Sequence, residues 1–355
     1  MSFPQNISPV PTAITAFIGH TAKGPVGFQK VASLAEFQRL FGKVLTGSRI
    51  ALSTLPGYLT ESLSLFFLNG GEIAYVYSLG SRKAGSAAPF LDALTALAKL
   101  PEPALLVLPD AVLLSPAELQ KVQLAALAHC AKQHNRFCIL DVPTATSLPL
   151  QAPLTGDNLS YGALYGPWLQ LAGGETLPAS GAVAGIYARV DRERGVWKAP
   201  ANTEVRGIVG LSEVYTEREQ EKLNALRVFA GKGILVWGSR TLAVTDNEWR
   251  YVPVRRLFSM VEESLRVGTA GLALEPNNAN TWARARGLIE SFLIGLWRQG
   301  ALMGTKPEHA FFVKVGLGTT MTAQDVTAGR LIIEVGLAPA RPAEFSILRL
   351  SLKVP

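Results

Sequence analysis

Across residues 25–145, short and fully apolar runs alternate with longer segments whose apolar positions recur every three or four residues. The runs "ALLVLPD" and "RFCILDVP" predict strands buried on both faces, as in a parallel sheet. "TAITAFIGH" and "EIAYVYSL" are β-branched and apolar, and also read as strands. The longer segments predict helices. "SLAEFQRLFG" places Leu34, Phe37 and Phe41 on one face, with Ser33 and Glu36 as a capping box and Gly42 as the stop. "LPGYLTESLSLFFLNGG", "FLDALTALAKL" and "SPAELQKVQLAALAHCAKQH" follow, the last with Pro116 in its first turn. This alternation points to a parallel or mixed α/β layer.

Residues 144–185 break the rhythm. Rich in Pro, Gly, Ser and Thr, they read as a linker with irregular loops. Over residues 216–227, "TEREQEKLNALR" predicts a charged helix capped by Thr216 and Glu219. Leu223 and Leu226 give it only a narrow apolar strip, so Glu217, Arg218, Glu221 and Lys222 are expected on an exposed face. "GILVWGSRTL" reads as a strand. Leu257, Met260, Val261 and Leu265 share one face of a further helix. Trp282, Ala285, Leu288, Ile289, Phe292, Leu293, Leu296 and Trp297 form a broad stripe on the next. "AFFVKV", "GRLIIEVGL" and "EFSILRLSLKV" predict strands, and no internal repeat of fixed period is present.

At the chain end, Leu348, Leu350 and Leu352 alternate with Arg349, Ser351 and Lys353, the pattern of a strand buried on one face. A free terminal strand of this kind is an aggregation hazard. Leu348, Arg349, Leu350, Ser351 and Leu352 are therefore expected to add to the open sheet edge of a neighbouring subunit. The competing reading makes them an internal edge strand of their own domain.

At 355 residues and 38.0 kDa, the chain suits two domains, or one large one with an insertion. With 48% hydrophobic and 17% charged residues, its mean hydropathy of +0.22 is high for a protein that stands alone. Apolar surface is buried either internally or against neighbours. The net charge of +7 allows acidic partners, but the basic residues are interleaved with acids, which argues against nucleic acid. Two cysteines exclude a disulfide framework and point to a reducing compartment. The start of the chain has no basic segment followed by a long apolar one, and the longest apolar runs are far short of a membrane span. The expectation is a cytoplasmic product with no membrane insertion, bypassing the usual secretory route.

An α/β layer raises the question of a nucleotide-dependent enzyme. The fingerprints are missing: "AGKGI" at 230–234 lacks both the upstream glycine and the following hydroxyl of a phosphate loop. Gly316 and Gly318 lead into "TTM" rather than completing a dinucleotide motif. Asp110 and Asp141 stand at strand ends, where they read as turn or cap residues. Cys130 and His134 share a helix face without a nearby carboxylate, too few ligands for a metal site. Cys130 and Cys138 lie in apolar runs where buried, inert thiols are usual. No catalytic, cofactor or metal residue is therefore assigned.

The densest charge lies in "RVDRERGVWKAPAN" from Arg189. Arg189, Asp191, Arg192, Glu193 and Arg194 alternate in sign, which favours a charge-matched contact or an ion-pair network over catalysis. Arg192, Arg194, Trp197 and Lys198 form a candidate contact or scaffold loop, with Trp197 and Pro200 packing it down and Asn202 in a turn.

From Ala184 onward the segments "AGIYARVDRERGVWKAPAN", "LNALRVFAGKGILVWGSRTL", "WRYVPVRRLFSMVEESLRVGT", "EPNN", "LWRQGALMG", "AFFVKV" and "VGLAPARPAEFSILRL" run in the order found in contractile tail sheath proteins. "AFIGHTAKGP", "VASLAEFQRLFG" and "FFLNGGEIAYV" extend the resemblance to the N-terminal half. It implies a structural, non-enzymatic subunit of a phage tail or tail-like particle, without cofactors. Such subunits stack as six-fold rings around a tail tube and contract to drive it through a target envelope. Implied partners are other copies of the chain, the inner tube, and baseplate and cap proteins. The implied fold combines α/β and α+β parts: residues 1–24 as an arm plus the first strand of an inner domain, an inserted α/β outer domain at 25–150, and the remainder of the sheath domain at 151–355, with extended terminal arms. Within this frame, the charged helix at 216–227 is expected to face the tube. Only about a dozen residues precede the first strand, where many relatives carry a longer arm, and "EKLNALRVFAGKG" is more compact. These departures raise a second reading, a minor sheath-like subunit at the baseplate or cap end.

Overall fold

The computed structural model describes residues 6–21, 23–42, 57–81, 85–143, 154–216, 223–339 and 346–354. The chain divides into two compact units, Pro11–Arg255 and a second built from Met1–Val10 with Arg256–Pro355.

In the larger unit, strands β1 (Thr15–Gly19), β2 (Phe28–Val31), β3 (Ala74–Ser78), β4 (Leu105–Val107), β5 (Phe137–Asp141), β6 (Gly162–Gly166), β9 (Thr203–Glu204), β11 (Asn224–Phe229) and β12 (Gly233–Val236) join one sheet. Its order is β2-β3-β1-β4-β5-β6-β11-β12-β9 among the described residues. Strands β3, β1, β4, β5, β6 and β11 run parallel, and β2, β12 and β9 add antiparallel edges. Three two-residue strands, β7 (Leu169–Gln170), β8 (Thr176–Leu177) and β10 (Gly210–Leu211), form a small separate sheet.

Helices cover both faces of the main sheet, as its fully apolar strands require. Phe17, Val76, Leu105, Val107, Phe137 and Ile139 face α1 (Leu34–Phe41), α2 (Leu59–Leu68) and α5 (Ser180–Arg194). Ala16, Ile18, Leu106, Cys138 and Leu140 face α3 (Ala88–Leu97) and α4 (Pro116–Gln133). The expected caps form: Ser33 Oγ accepts from Glu36 N at 3.1 Å, Glu36 Oε2 accepts from Ala32 N at 2.8 Å, and Gly42 ends α1 at φ 93°.

Three expectations are corrected here. The first strand is not part of a separate inner domain but lies at the middle of this sheet, paired in parallel with β3 and β4. The sheet also continues past residue 150 through β6 and β11, so the unit boundaries fall at residues 10/11 and 255/256 rather than at 24 and 150. A central parallel strand needs a neighbour on each edge, and those neighbours come from distant sequence. The second correction is α5, a 15-residue helix where residues 144–185 read as linker and Arg192 and Arg194 as part of a contact or scaffold loop. Residues Ser180 to Val190 are all buried, so no polar stripe marked it. Third, the part of the expected 216–227 helix from Asn224 onward is strand β11, held by β6 and β12.

The smaller unit contains most of α6 (Val252–Gly268), together with α7 (Ala279–Arg298), two short helices, α8 (Pro307–Ala310) and α9 (Ala323–Thr327), and a three-stranded sheet. Leu257, Met260, Val261 and Leu265 are buried as their spacing predicts, and so are Ala285, Ile289, Phe292, Leu293 and Leu296. Strands β13 (Phe311–Val315), β14 (Arg330–Leu337) and β15 (Ser346–Lys353) form the sheet in the order β13-β14-β15, antiparallel throughout. The start of the chain straps onto this unit: Ile7 packs on Gly268, and Val10 N donates to Ser264 Oγ at 3.0 Å.

Candidate assembly surfaces

Helix α5 organises the first surface. Gly181 and Gly185 let it lie directly on α2: a Cβ at Gly181 would sit 2.5 Å from the Ser62 carbonyl oxygen, and one at Gly185 would collide with that of Phe66. At its N-terminus, the Asp141 carboxylate accepts from Ser180 N at 2.8 Å. Burial pushes Asp141 up to about 7, against the opposing pull of the Ser180 hydroxyl and of the N–H groups of Ser180 and Ala179. Asp110 also receives backbone N–H groups, from His20 at 2.5 Å and from Tyr58. Both strand-end aspartates thus serve as backbone caps.

At the other end of α5 the charges separate by depth. Arg189 is 5% exposed and its Nη2 donates to the Glu204 carbonyl at 2.6 Å. Desolvation lowers its affinity for the proton, and the Arg206 charge adds to that. Arg192 reaches back to the end of α2, donating to the Gly70 carbonyl at 3.1 Å and pairing with Glu72 at 2.7 Å. An exposed pair of this kind contributes less than about 1 kcal/mol. Gly195, at φ 94°, ends the helix, and the Trp197 ring lies against it; Arg194 and Lys198 stay exposed. Asn202 takes the left-handed turn conformation, at φ 54°. The contact-loop candidates are therefore split: Arg192 and Arg194 on the last turn of a buried helix, Trp197 and Lys198 just beyond it.

The second surface is β15. Leu348, Leu350 and Leu352 pair in register with Val335, Ile333 and Leu331 on the inner face, and Leu348 and Leu350 are buried. The alternation therefore correctly names the buried face. In the single chain β15 pairs with β14, the arrangement of the competing reading, an internal edge strand. The third candidate, Glu217, Arg218, Glu221 and Lys222, lies outside the described residues.

Sequence reasoning missed Asn69 and Arg136 as structural anchors. Asn69 Oδ1 accepts from Arg206 N at 2.9 Å while its Nδ2 donates to the Leu65 and Arg206 carbonyls, tying the end of α2 to residue 206. Arg136, 1% exposed, satisfies the carbonyls of Leu97, Leu100 and Pro103 and meets His129 Nε2 at 2.6 Å. Burial and the Arg136 charge hold His129 at about 4, so it accepts from Arg136 as a neutral ring. Cys130 and Cys138 are buried free thiols.

The chain is a doubly covered α/β unit together with a smaller α+β unit, and its buried polar groups serve as caps and anchors of the fold. Comparison with known proteins gives the class a family. The model for the phage tail sheath protein central domain matches residues 87–242, and that for the phage tail sheath C-terminal domain matches residues 244–353. The chain belongs to the contractile tail sheath family. A putative prophage major tail sheath protein of Pseudomonas aeruginosa is 25% identical over 188 residues, 49% of this chain and 46% of that one. The chain thus spans less than half the length of the curated relatives it matches. A chain of the anti-feeding prophage baseplate, solved with 6-fold symmetry, is 34% identical with a TM-score of 0.81, covering 99% of this chain and 96% of that one. A chain of the contracted sheath complex of the extracellular contractile injection system PVC is 32% identical with a TM-score of 0.80, covering 99% and 94%.

Proposed function

We propose that this chain is the structural subunit of a contractile sheath in a phage tail or extracellular injection particle. In this reading it stacks as six-membered rings around an inner tube, attaches to baseplate and cap proteins, and contracts to drive the tube through a target envelope. The observation that carries it is the near full-length likeness to a chain of a contracted sheath complex, at 32% identity and TM-score 0.80. The role is mechanical, with assembly in the bacterial cytoplasm. A second reading, a minor subunit at the baseplate end, is favoured by likeness to chains in two baseplate structures, with TM-scores of 0.81 and 0.82.

Lacing between subunits is assigned to β15. The β14–β15 register of the isolated chain is the one an exchanged strand would keep in a neighbour, because the buried leucines fit the same row. Donor and acceptor are different surfaces of identical chains, so the contact propagates into an open array. Tube contact is assigned to Glu217, Arg218, Glu221 and Lys222 as weak, reversible charge contacts added up by avidity.

Co-expression with the neighbouring genes tests both parts. Negative-stain microscopy should show sheathed tubes; baseplate-like particles alone would favour the minor-subunit reading. In the variant Glu334→Cys/Arg349→Cys, whose positions face each other in register, cross-linking of assembled particles should give ladders of covalently joined chains. Monomer bands alone would refute strand exchange.

A further inference from the structure

The outward face of the β13-β14-β15 sheet is read directly from its register. Phe312, Gly336 and Ile347 form one row across the strands, Lys314, Glu334 and Arg349 the next, and Arg330 stands opposite Lys353. Their neighbours along each strand point inward and are buried, except the half-buried Leu352; on the outward face Lys314, Arg330, Ile347, Arg349, Ser351 and Lys353 are exposed, Phe312 is half-buried and Ile332 is buried. The apolar row is continuous. The Phe312 ring lies over Gly336, where a Cβ would collide with it, and Ile347 beside them is 61% exposed.

The charge on this face is one-sided. Lys314, Arg330, Arg349 and Lys353 are countered on the strands by Glu334 alone, 3.8 Å from Arg349. Arg330 is engaged from the edge by Asp325, 2.8 Å away. Lys314 Nζ sits 4.8 Å from the centre of the Phe312 ring. An apolar row containing an aromatic residue and bordered by basic side chains is the composition of a protein contact centre and rim. The complementary surface is acidic with an apolar side chain at its centre. A second copy of this chain, at net charge +7, is repelled on average.

We propose that this sheet face docks an acidic surface of a different protein in the same particle. An apolar side chain of that partner covers Phe312 and Ile347, and its carboxylates meet Lys314, Arg349 and Lys353. The proposal rests on the particle reading above but not on its ring geometry, and it holds whichever chain supplies β15, since exchange in register leaves the face unchanged.

The lysines allow a test on the unaltered protein. Complexes from co-expression with the neighbouring genes are treated with a carbodiimide, which joins a lysine amine to a touching carboxylate as an amide with loss of water. Peptide mass spectrometry should find Lys314 and Lys353 joined to Asp or Glu of another protein. In the double variant Lys314→Glu/Lys353→Glu, recovery of that partner should fall by about tenfold or more and circular dichroism should stay unchanged. Links only to a second copy of this chain, links only to Glu334, or unlinked lysines would each overturn the proposal. Microscopy of the same sample reads the sheath separately: absent rings with the expected cross-links would overturn the ring geometry and leave the docking face standing.

Discussion

Gly185→Val is expected to destabilise the larger unit by about 3–5 kcal/mol, enough to threaten folding of a typical domain. The reason is what a side chain would meet. A Cβ at Gly185 collides with the Phe66 carbonyl and comes within 2.8 Å of Asn69 Cβ. The obstacle is the backbone of another helix, which cannot rotate away as a side chain does. Moving α2 aside would disturb Leu59, Leu63 and Phe66, which are fully buried. It would also break the Asn69 bonds that hold residue 206. Helix propensity works in the opposite direction, since glycine costs a helix about 1 kcal/mol relative to alanine. Gly185→Ala therefore tests the balance: it gains the propensity term but still meets the clash, so a smaller net loss than valine is expected. Urea denaturation of the purified chain measures both. A midpoint for the valine variant equal to or above the parent would refute the close helix contact. Helix α5 also carries Arg189 and Arg192, so their bonds to the Glu204 carbonyl and to Glu72 depend on the same contact.

The same helix shows where sequence reasoning stopped. The strands β1, β3, β4 and β5 were legible because apolar runs a few residues long bounded by turns leave little alternative. Helix α5 was not, because "SGAVAGIY" combines a loop-like composition with burial on every side, and a helix without a polar face has no period to detect. The error at Asn224–Phe229 ran the other way. Leu223 and Leu226 with charges around them imitate an amphipathic helix, but pairing with β6 and β12 decides the conformation, and strand preference depends strongly on such neighbours. The unit boundaries were hidden for a related reason: β6 meets β11 across nearly sixty residues, and local patterns do not encode such pairings. At β15 the alternation of leucines named the buried face but not the owner of the adjoining strand. The one-sided charge on the outward face was legible only once the register had placed Lys314, Glu334 and Arg349 in one row.

Asp141 is expected to contribute stability to the larger unit that is lost as pH rises from about 4 to 8, opposed below about pH 6.5 by His129, whose folded ring stays neutral, and Asp141→Asn is expected to remove the Asp141 contribution alone. Asp141 is 4% exposed at the end of β5, where it caps α5 through Ser180 N. Burial raises its proton affinity from the usual 3.8 to about 7. The groups acting against burial are neutral, the Ser180 hydroxyl first and then the N–H donors of Ser180 and Ala179, not a cation; Cys138, whose thiol burial also pushes up, feels the Asp141 charge. The sign follows from proton counting. Between the unfolded and folded values the native state binds the extra proton, so acid favours folding. That contribution is complete below about pH 4 and is lost as pH passes 7. A shift of about three units corresponds to an upper limit of about 4 kcal/mol at pH 8. Asparagine keeps an oxygen to accept from Ser180 N and carries no charge at any pH. The variant is therefore expected to gain up to about 3 kcal/mol relative to the parent between pH 5 and pH 8. Glu61, a second carboxylic acid that burial raises, is present in both proteins and cancels in the difference. Denaturant midpoints of parent and variant at several pH values decide the matter. Parallel pH profiles would mean that Asp141 is already ionised in the folded chain at pH 5, with the N–H groups at the head of α5 outweighing its burial.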